Sequence, residues 1–151
     1  MPVTPATTPL PSSWSRATPT AADVHALYDL QCRHETAARG GSSGSQAAVG
    51  ADVAGTGSGA RSHLLLRDGD GATRAWATVH DRAAGRSLAA VVVDPELASP
   101  VADAAARALL DWVEQASREV GAERGLATTQ VDTGAFAQDE RQQRWLSAAG
   151  L

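Results

Sequence analysis

The sequence predicts a mixed α/β domain, an antiparallel meander with one parallel strand pair, flanked by helices. Three strand-like segments lie in close succession, 62–67 (SHLLLR), 72–80 (ATRAWATVH) and 87–93 (SLAAVVV), separated by short turns. A long amphipathic stretch opens at Pro100, with apolar residues at helical spacing. A further strand-like segment, 125–131 (GLATTQV), then returns parallel to 87–93 by a crossover.

The chain begins MPVTPATTPLPSS, rich in Pro, Thr and Ser, and residues 1–13 read as a disordered tail. This stretch has no basic n-region and no apolar h-region, so it does not read as a secretory signal, and no later segment has the length of a membrane span. The remaining 14–151 fit one domain. Residues 14–17 suggest a short strand. Thr20 and Asp23 read as a helix cap with an acid in the first turn. Val24, Leu27, Tyr28 and Cys32 continue at helical spacing, which predicts a helix over 21–38 ending near Gly40.

Residues 37–60 (AARGGSSGSQAAVGADVAGTGSGA) are Gly, Ser and Ala almost throughout. Such a composition buries little apolar surface against its ordering entropy, so a flexible loop is expected. The Gly-x-Gly-x-Gly run at 55–59 precedes a strand, whereas a dinucleotide loop follows one, so it reads as linker. Asp68-Gly69-Asp70-Gly71 and residues 81–86 then supply residues that tolerate the positive φ of tight hairpins.

In the long helix, Val101, Ala105, Leu109, Trp112, Val113, Ala116 and Val120 share one stripe, while Arg107, Asp111, Glu114 and Arg118 face away. Ser99 and Pro100 read as N-cap and N1, and Gly121 as the stop. A last helix is expected over 138–149.

Composition excludes several functions. The net charge is −4, and all 13 basic residues are arginine. Without lysine there is no Schiff base, Walker lysine or lysine nucleophile. An acidic balance, 4% aromatics and no basic stripe argue against nucleic-acid binding. The single cysteine permits no intrachain disulfide, which suits a cytoplasmic location.

His25, Cys32 and His34 share one helix and read as surface or half-buried residues rather than metal ligands, and Cys32 as a buried thiol rather than a nucleophile. Asp68-Gly-Asp-Gly resembles a calcium loop, but Val79 stands where the bidentate glutamate belongs, so a hairpin turn is expected. Trp112 and Trp145 read as core. Asp94 and Glu96 read equally as a general base or as solvated turn residues, so no catalytic residue is assigned.

With its marker residues, this element order resembles the GNAT superfamily of acetyl-CoA-dependent N-acetyltransferases. Ser15-Arg16-Ala17-Thr18-Pro19-Thr20-Ala21-Ala22-Asp23 is similar to the family's opening strand and helix cap, and Asp68-Gly69-Asp70-Gly71 with Trp76-Ala77 to its first hairpin. Val91-Val92-Val93-Asp94-Pro95-Glu96-Leu97, then Ala108-Leu109-Leu110-Asp111-Trp112, resembles its cofactor strand and following helix. Ser147-Ala148-Ala149-Gly150-Leu151 is similar to the Gly-Phe ending of its last helix.

The resemblance implies acetyl transfer from acetyl-CoA to a small-molecule or peptide amine, by direct attack on the thioester with a backbone N–H steadying the oxyanion. It implies that the free backbone groups of Val91 and Val93 face the pantetheine arm. The helix N-terminus would hold the pyrophosphate. The family's pyrophosphate loop falls on Val101-Ala102-Asp103-Ala104-Ala105-Ala106, with Arg107 the nearby cation.

Here the sequence departs from the pattern. Val101 replaces a basic or amide residue, Ala104 replaces a glycine, Ala98-Ser99-Pro100 lengthens the turn, and only Ala106 fits. Asp94, Glu96 and Asp103 cluster where the anion would lie, and each close like-charge contact costs on the order of 1 kcal/mol. Leu146 stands in the place of the family's tyrosine acid, and Asp139 where an asparagine is frequent. The family's final strands are missing. The resemblance therefore extends to a weakened first half of a tandem protein, with a second GNAT domain or a homodimer partner. A non-catalytic scaffold of the same fold is the alternative.

Overall fold

Two Asp-containing turns fold residues 61–93 into a meander. In the first, the Asp68 carboxylate accepts from the backbone N–H of Asp70 (2.9 Å) and Ala72 (3.0 Å), while Gly71 takes φ +81°. In the second, Asp81 accepts from Ala83 N–H at 2.8 Å. There the positive φ falls on Ala83 (67°) and Ala84 (54°) as well as Gly85 (78°).

The computed structural model describes residues 8–55 and 61–151. Its elements are β1 (Ser15–Ala17), a 3-10 turn (Ala21–Asp23), α1 (Val24–Arg39), α2 (Gln46–Ala54), β2 (Arg61–Arg67), β3 (Thr73–Asp81), β4 (Arg86–Val93), α3 (Ser99–Glu123), β5 (Gln130–Asp132) and α4 (Glu140–Ala148). The strands form one five-stranded sheet in chain order, antiparallel throughout except for the parallel pair β4–β5. The mixed sheet flanked by helices is the architecture that the sequence predicts.

Both faces of this sheet are covered, which explains why Leu64, Leu65 and Leu66 are all buried despite successive side chains pointing opposite ways. Leu64 and Leu66, with Ala75, Ala77, Val91 and Val93, join Leu109 and Val113 of α3 and Trp145 of α4. On the other face Leu65 and Trp76 join Leu27 and Leu30 of α1 and Val49 of α2.

Several elements differ from expectation. Residues 46–54 form a helix within the segment expected to be a loop. Ser45 caps it by accepting from Ala48 N–H, and the buried Val49 anchors it. Two valines, the buried Val49 and the partly buried Val53, give this Ala/Gly-rich segment its packing. Residues 56–60, which hold most of the Gly-x-Gly-x-Gly run, lie outside the described residues, as do residues 1–7 of the N-terminal tail. The rest of that tail meets the domain: Leu10 packs against the larger core and Ser13 lies against Gly69.

Helix α3 begins one residue earlier than its cap residues suggest, with Ala98 as N-cap and Ser99-Pro100 inside the first turn. Gly121 does not end it. A Cβ there would approach Thr129 Cγ2 to 2.2 Å, so this glycine admits the chain returning from α3 to β5. Strand β5 itself is three residues long, 130–132, rather than the 125–131 expected. Among the described residues no helix is long and apolar enough to cross a membrane.

Candidate functional site

Strands β4 and β5 pair over a short length. Arg86, Ser87 and Leu88 face Gln130, Val131 and Asp132, and beyond Leu88 the two strands part. From Ala89 to Val93, β4 keeps β3 on one side and has an open edge on the other. Backbone groups alternate between the two sides of a strand. Asp94 N–H donates to Arg74 O of β3 at 2.8 Å, so the odd-numbered residues Ala89, Val91 and Val93 turn their N–H and C=O to the open edge.

A cleft of about 490 Å³ lies along this edge. Leu88, Ala90, Val91 and Val92 form one wall, and Gly134, Ala135 and Phe136 the side where β5 has departed. Gln31, His34 and Glu35 of α1, Asp52 of α2 and Thr78 of β3 supply polar groups. Gln142 of α4 enters from below, where its Nε2 donates to Val91 O at 2.9 Å. Asp139 fixes the start of α4 by accepting from Gln142 N–H at 3.0 Å, so it serves as a helix cap.

His34 sits on the cleft wall, its ring centroid 5.9 Å from that of Phe136. Burial pulls its pKa below the ordinary imidazole value, against the pull of Asp139 and Glu35, which leaves the ring neutral at neutral pH. Glu35 is held in place: Gln31 Nε2 donates to one oxygen at 3.1 Å and Ser43 N–H to the other at 3.0 Å. Behind the wall, Trp76 Nε1 donates to His63 Nδ1, which places the proton of that imidazole on Nε2, where it meets Asp52 O at 3.0 Å.

The turn from β4 to α3 is built around Asp94, which is fully buried. Its carboxylate accepts from Arg74 of β3 at 2.8 Å, Arg33 of α1 at 3.1 Å and Glu96 N–H at 3.0 Å. Burial pushes this carboxyl up, but these donors outweigh it and hold the pKa below the usual aspartate value. Arg141 of α4 closes the turn from outside, donating to Asp94 O (3.2 Å) and Leu97 O (3.4 Å). Asp94 is therefore a structural anion matched by two arginines, rather than a general base or a solvated turn residue. Glu96 is exposed.

The structure separates the residues that the sequence suggests for cofactor binding. Val91 and Val93 both have their side chains in the core and turn their backbone to the open edge, and Val91 also borders the cleft. Val101 through Ala106 lie inside α3, not in a loop, and Ala102, Ala104 and Ala106 face the core. From Ala102 onward the backbone N–H groups are taken by the helix, beginning with Ala102 N–H to Ala98 O at 2.9 Å. Because Pro100 has no N–H, Ser99 and Val101 are the first-turn residues whose amides the helix leaves over. Asp103 turns to α4, accepting from Trp145 Nε1 at 2.7 Å with Arg144 at 3.6 Å. With Arg107 it lines a separate groove of about 350 Å³ between α3 and α4. Leu146 is buried in the core.

Among the described residues no three His, Cys, Asp or Glu side chains converge as metal ligands do. Sequence reasoning missed Gln142, Arg141, Arg33 and Arg74. The one available signal was the spacing of Asp139 and Gln142, a helix cap and the residue three places on.

An antiparallel meander ending in one parallel pair that splays apart defines a class of mixed α/β domains with an open strand edge. The comparisons with solved structures make the class specific. The chain is similar to a GCN5-related N-acetyltransferase from Sphaerobacter thermophilus, with TM-score 0.70 and 21% identity over 92% of this chain and 43% of that one. It is similar to yncA from Salmonella typhimurium, solved with its cofactor acetyl-CoA, with TM-score 0.66, 14% identity and coverage of 92% and 79%. A third is the PaiA N-acetyltransferase from Thermoplasma acidophilum in complex with coenzyme A, with TM-score 0.68, 9% identity and coverage of 89% and 87%. No protein-family model and no curated protein matches the sequence. The chain has the GNAT fold, and it spans less than half the length of the Sphaerobacter protein.

Proposed function

We propose that this chain is an acetyl-CoA-dependent N-acetyltransferase domain acting on a small-molecule or peptide amine. The observation that carries the reading is the open edge of β4 from Ala89 to Val93, bordering a cleft of about 490 Å³. Acetyl-CoA supplies a thioester whose acyl carbon an amine attacks directly. The residues fit its arm: the N–H of Val91 and both backbone groups of Val93 face outward from the open edge, while Val91 O is taken by Gln142.

At the anionic end the fit comes from fewer groups. The amides of Ser99 and Val101 and the positive end of α3 favour an anion. Asp94 opposes it less than its formal charge implies, because Arg33 and Arg74 are already matched to it. His34, neutral and on the cleft wall, takes the proton of the incoming ammonium group.

A non-catalytic scaffold is the second reading. It is favoured by Leu146, which has no proton to give at the family's acid position, and by the glycine-free turn before α3. In either case a second GNAT domain or a second copy of the chain is the expected partner.

Calorimetric titration of acetyl-CoA into the purified chain tests the proposal. Micromolar binding is expected, and Ala90→Trp, which fills the cleft from an exposed position, should abolish it without changing the melting temperature. With a responsive amine, His34→Asn should remove the acidic limb of the pH–rate profile. Folded protein that binds no acetyl-CoA at millimolar concentration would leave the scaffold reading standing.

A further inference from the structure

Of the 13 arginines, only Arg16, Arg82, Arg107 and Arg141 have no carboxylate at ion-pair distance among the described residues. The first three are exposed, where water solvates the charge. Arg141 is partly buried where α4 meets the turn from β4 to α3. Burial pulls its pKa down, against the opposing pull of Asp139, Asp103 and Asp94. Its guanidinium lies 4.7 Å from the Trp145 ring centroid and donates to the carbonyls of Asp94 and Leu97. Those two bonds use part of a five-donor fork, and neutral carbonyls do not balance its charge. A half-buried cation without a counter-ion favours an anion beside it.

Arg141 lines a second cavity, of about 280 Å³, together with Gln138 and Asp139 at the start of α4, Pro95, and His34 and Ala37 of α1. His34 borders both this cavity and the cleft. Asp139 sets the charge that the cavity accepts. Its carboxylate is engaged as the cap of α4, and its negative charge repels a second anion nearby. One guanidinium and the positive end of α4, set against that one carboxylate, leave room for a single negative charge. A carboxylate carries one, whereas a phosphate monoester carries nearly two at neutral pH. We propose that this cavity is a carboxylate subsite of the acceptor, which makes the acceptor an amine carrying its own carboxylate, as amino acids do. The amine lies at His34 on the cleft side, and the carboxylate lies on the Arg141 side of the same residue. No arginine lines the cleft itself, and Glu35 and Asp52 do, so the cleft alone offers a carboxylate no cation. The inference rests on the acetyltransferase reading above and names the substrate class of that site.

The test measures turnover at saturating acetyl-CoA for matched acceptors: alanine and isopropylamine, β-alanine and propylamine, γ-aminobutyrate and butylamine, ε-aminocaproate and hexylamine. The chains are the wild type, Arg141→Gln, Ala37→Glu and Ala37→Gln. Ala37 is exposed and borders the cavity, so Ala37→Glu brings in a competing carboxylate with Arg141 intact, and Ala37→Gln matches its size without the charge. Calorimetry follows acetyl-CoA affinity in each chain, and thermal melting verifies folding. The wild type should prefer the carboxylate member of at least one pair. Arg141→Gln and Ala37→Glu should each lower its kcat/KM by about tenfold to a hundredfold, the scale of a hydrogen bond to a charged group. The loss should fall on KM, spare the plain amine, and be far smaller in Ala37→Gln. Plain amines preferred in every pair, or no pair turned over by protein that binds acetyl-CoA, would overturn the subsite and leave the cofactor reading intact. Equal losses for both members of a pair would overturn it as a disturbance of His34 or of the fold. Weaker acetyl-CoA binding with unchanged acceptor preference would overturn it by giving the cavity to the cofactor's phosphates. If no chain binds acetyl-CoA, the cofactor reading fails and the subsite fails with it.

Discussion

The two faces of the sheet are covered in different ways. On one, α3 sets the small residues Ala102, Ala105, Ala106 and Ala108 in the same buried cluster as the strands, with Leu109 and Val113 filling the middle. Alanine lets the helix axis come close, and the face is sealed along its length. On the other, α1 packs through Leu27 and Leu30 and then changes character, presenting Gln31, His34 and Glu35 to the cleft. The short α2 adds Val49. The sealed face anchors β4 through Ala89, Val91 and Val93, while the partly covered face borders the cleft along its open edge. Close packing and the open cleft are thus divided between the two sides of one sheet.

Asp94 is where the two sides are joined, so its removal should have the largest effect. It binds Arg33 from α1 and Arg74 from β3, and its carbonyl holds Arg141 from α4. Asp94→Ala would leave two arginines facing a buried site without their carboxylate, at a cost of about 3–5 kcal/mol, read from urea unfolding. Acid should act in the same direction. The folded-state pKa is depressed, so the stabilisation is complete above the unfolded aspartate value and is lost as pH falls through the folded one. In Asp94→Asn that part of the acid-unfolding slope should be absent; an unchanged slope would show that the turn is held without the charge.

A pair of truncations separates the faces themselves. Leu109→Ala opens a cavity in the sealed face and should lower global stability by about 2–5 kcal/mol. Val49→Ala removes the buried anchor of α2 and should cost about 1–2 kcal/mol. Its signature should be local: amide exchange in Gln46–Ala54 accelerates while α3 stays protected. Equal acceleration in both helices would mean that the faces unfold as one unit and that the division is only geometric.

How far the sequence revealed this arrangement depended on the range of the interactions. Period-2 alternation and Asp-Gly turns are local, so the meander, the parallel return and the long helix could be read directly. Helix α2 was hidden because its composition is that of a linker and its stability comes from Val49 reaching a core that other segments build. The candidate site was less legible. Position along the chain pointed to β4 and the turn after it, but not to Arg33, Arg74, Arg141 and Gln142, which arrive from α1, β3 and α4. Asp94 looked like one of three clustered acids until the fold supplied its two arginines. Long-range charge pairing leaves no periodic trace.

The smallest effect serves as a control on the others. In the β3–β4 hairpin the left-handed backbone falls on two alanines, Ala83 and Ala84, beside Gly85. An L-residue with a Cβ is disfavoured there by roughly 1 kcal/mol, and glycine is not. Ala84→Gly should therefore stabilise the chain by about 0.5–1 kcal/mol, less than the full strain because glycine also gains freedom in the unfolded chain. Ala84 is exposed and at the end of the sheet, remote from both helix layers in the sense that it enters neither hydrophobic cluster. A rise in the global unfolding midpoint with unchanged relative exchange in α2 and α3 would identify turn strain as a load shared by both faces. A fall would place the hydrogen bond from Ala83 N–H to Asp81, rather than the φ of Ala84, as what holds the turn.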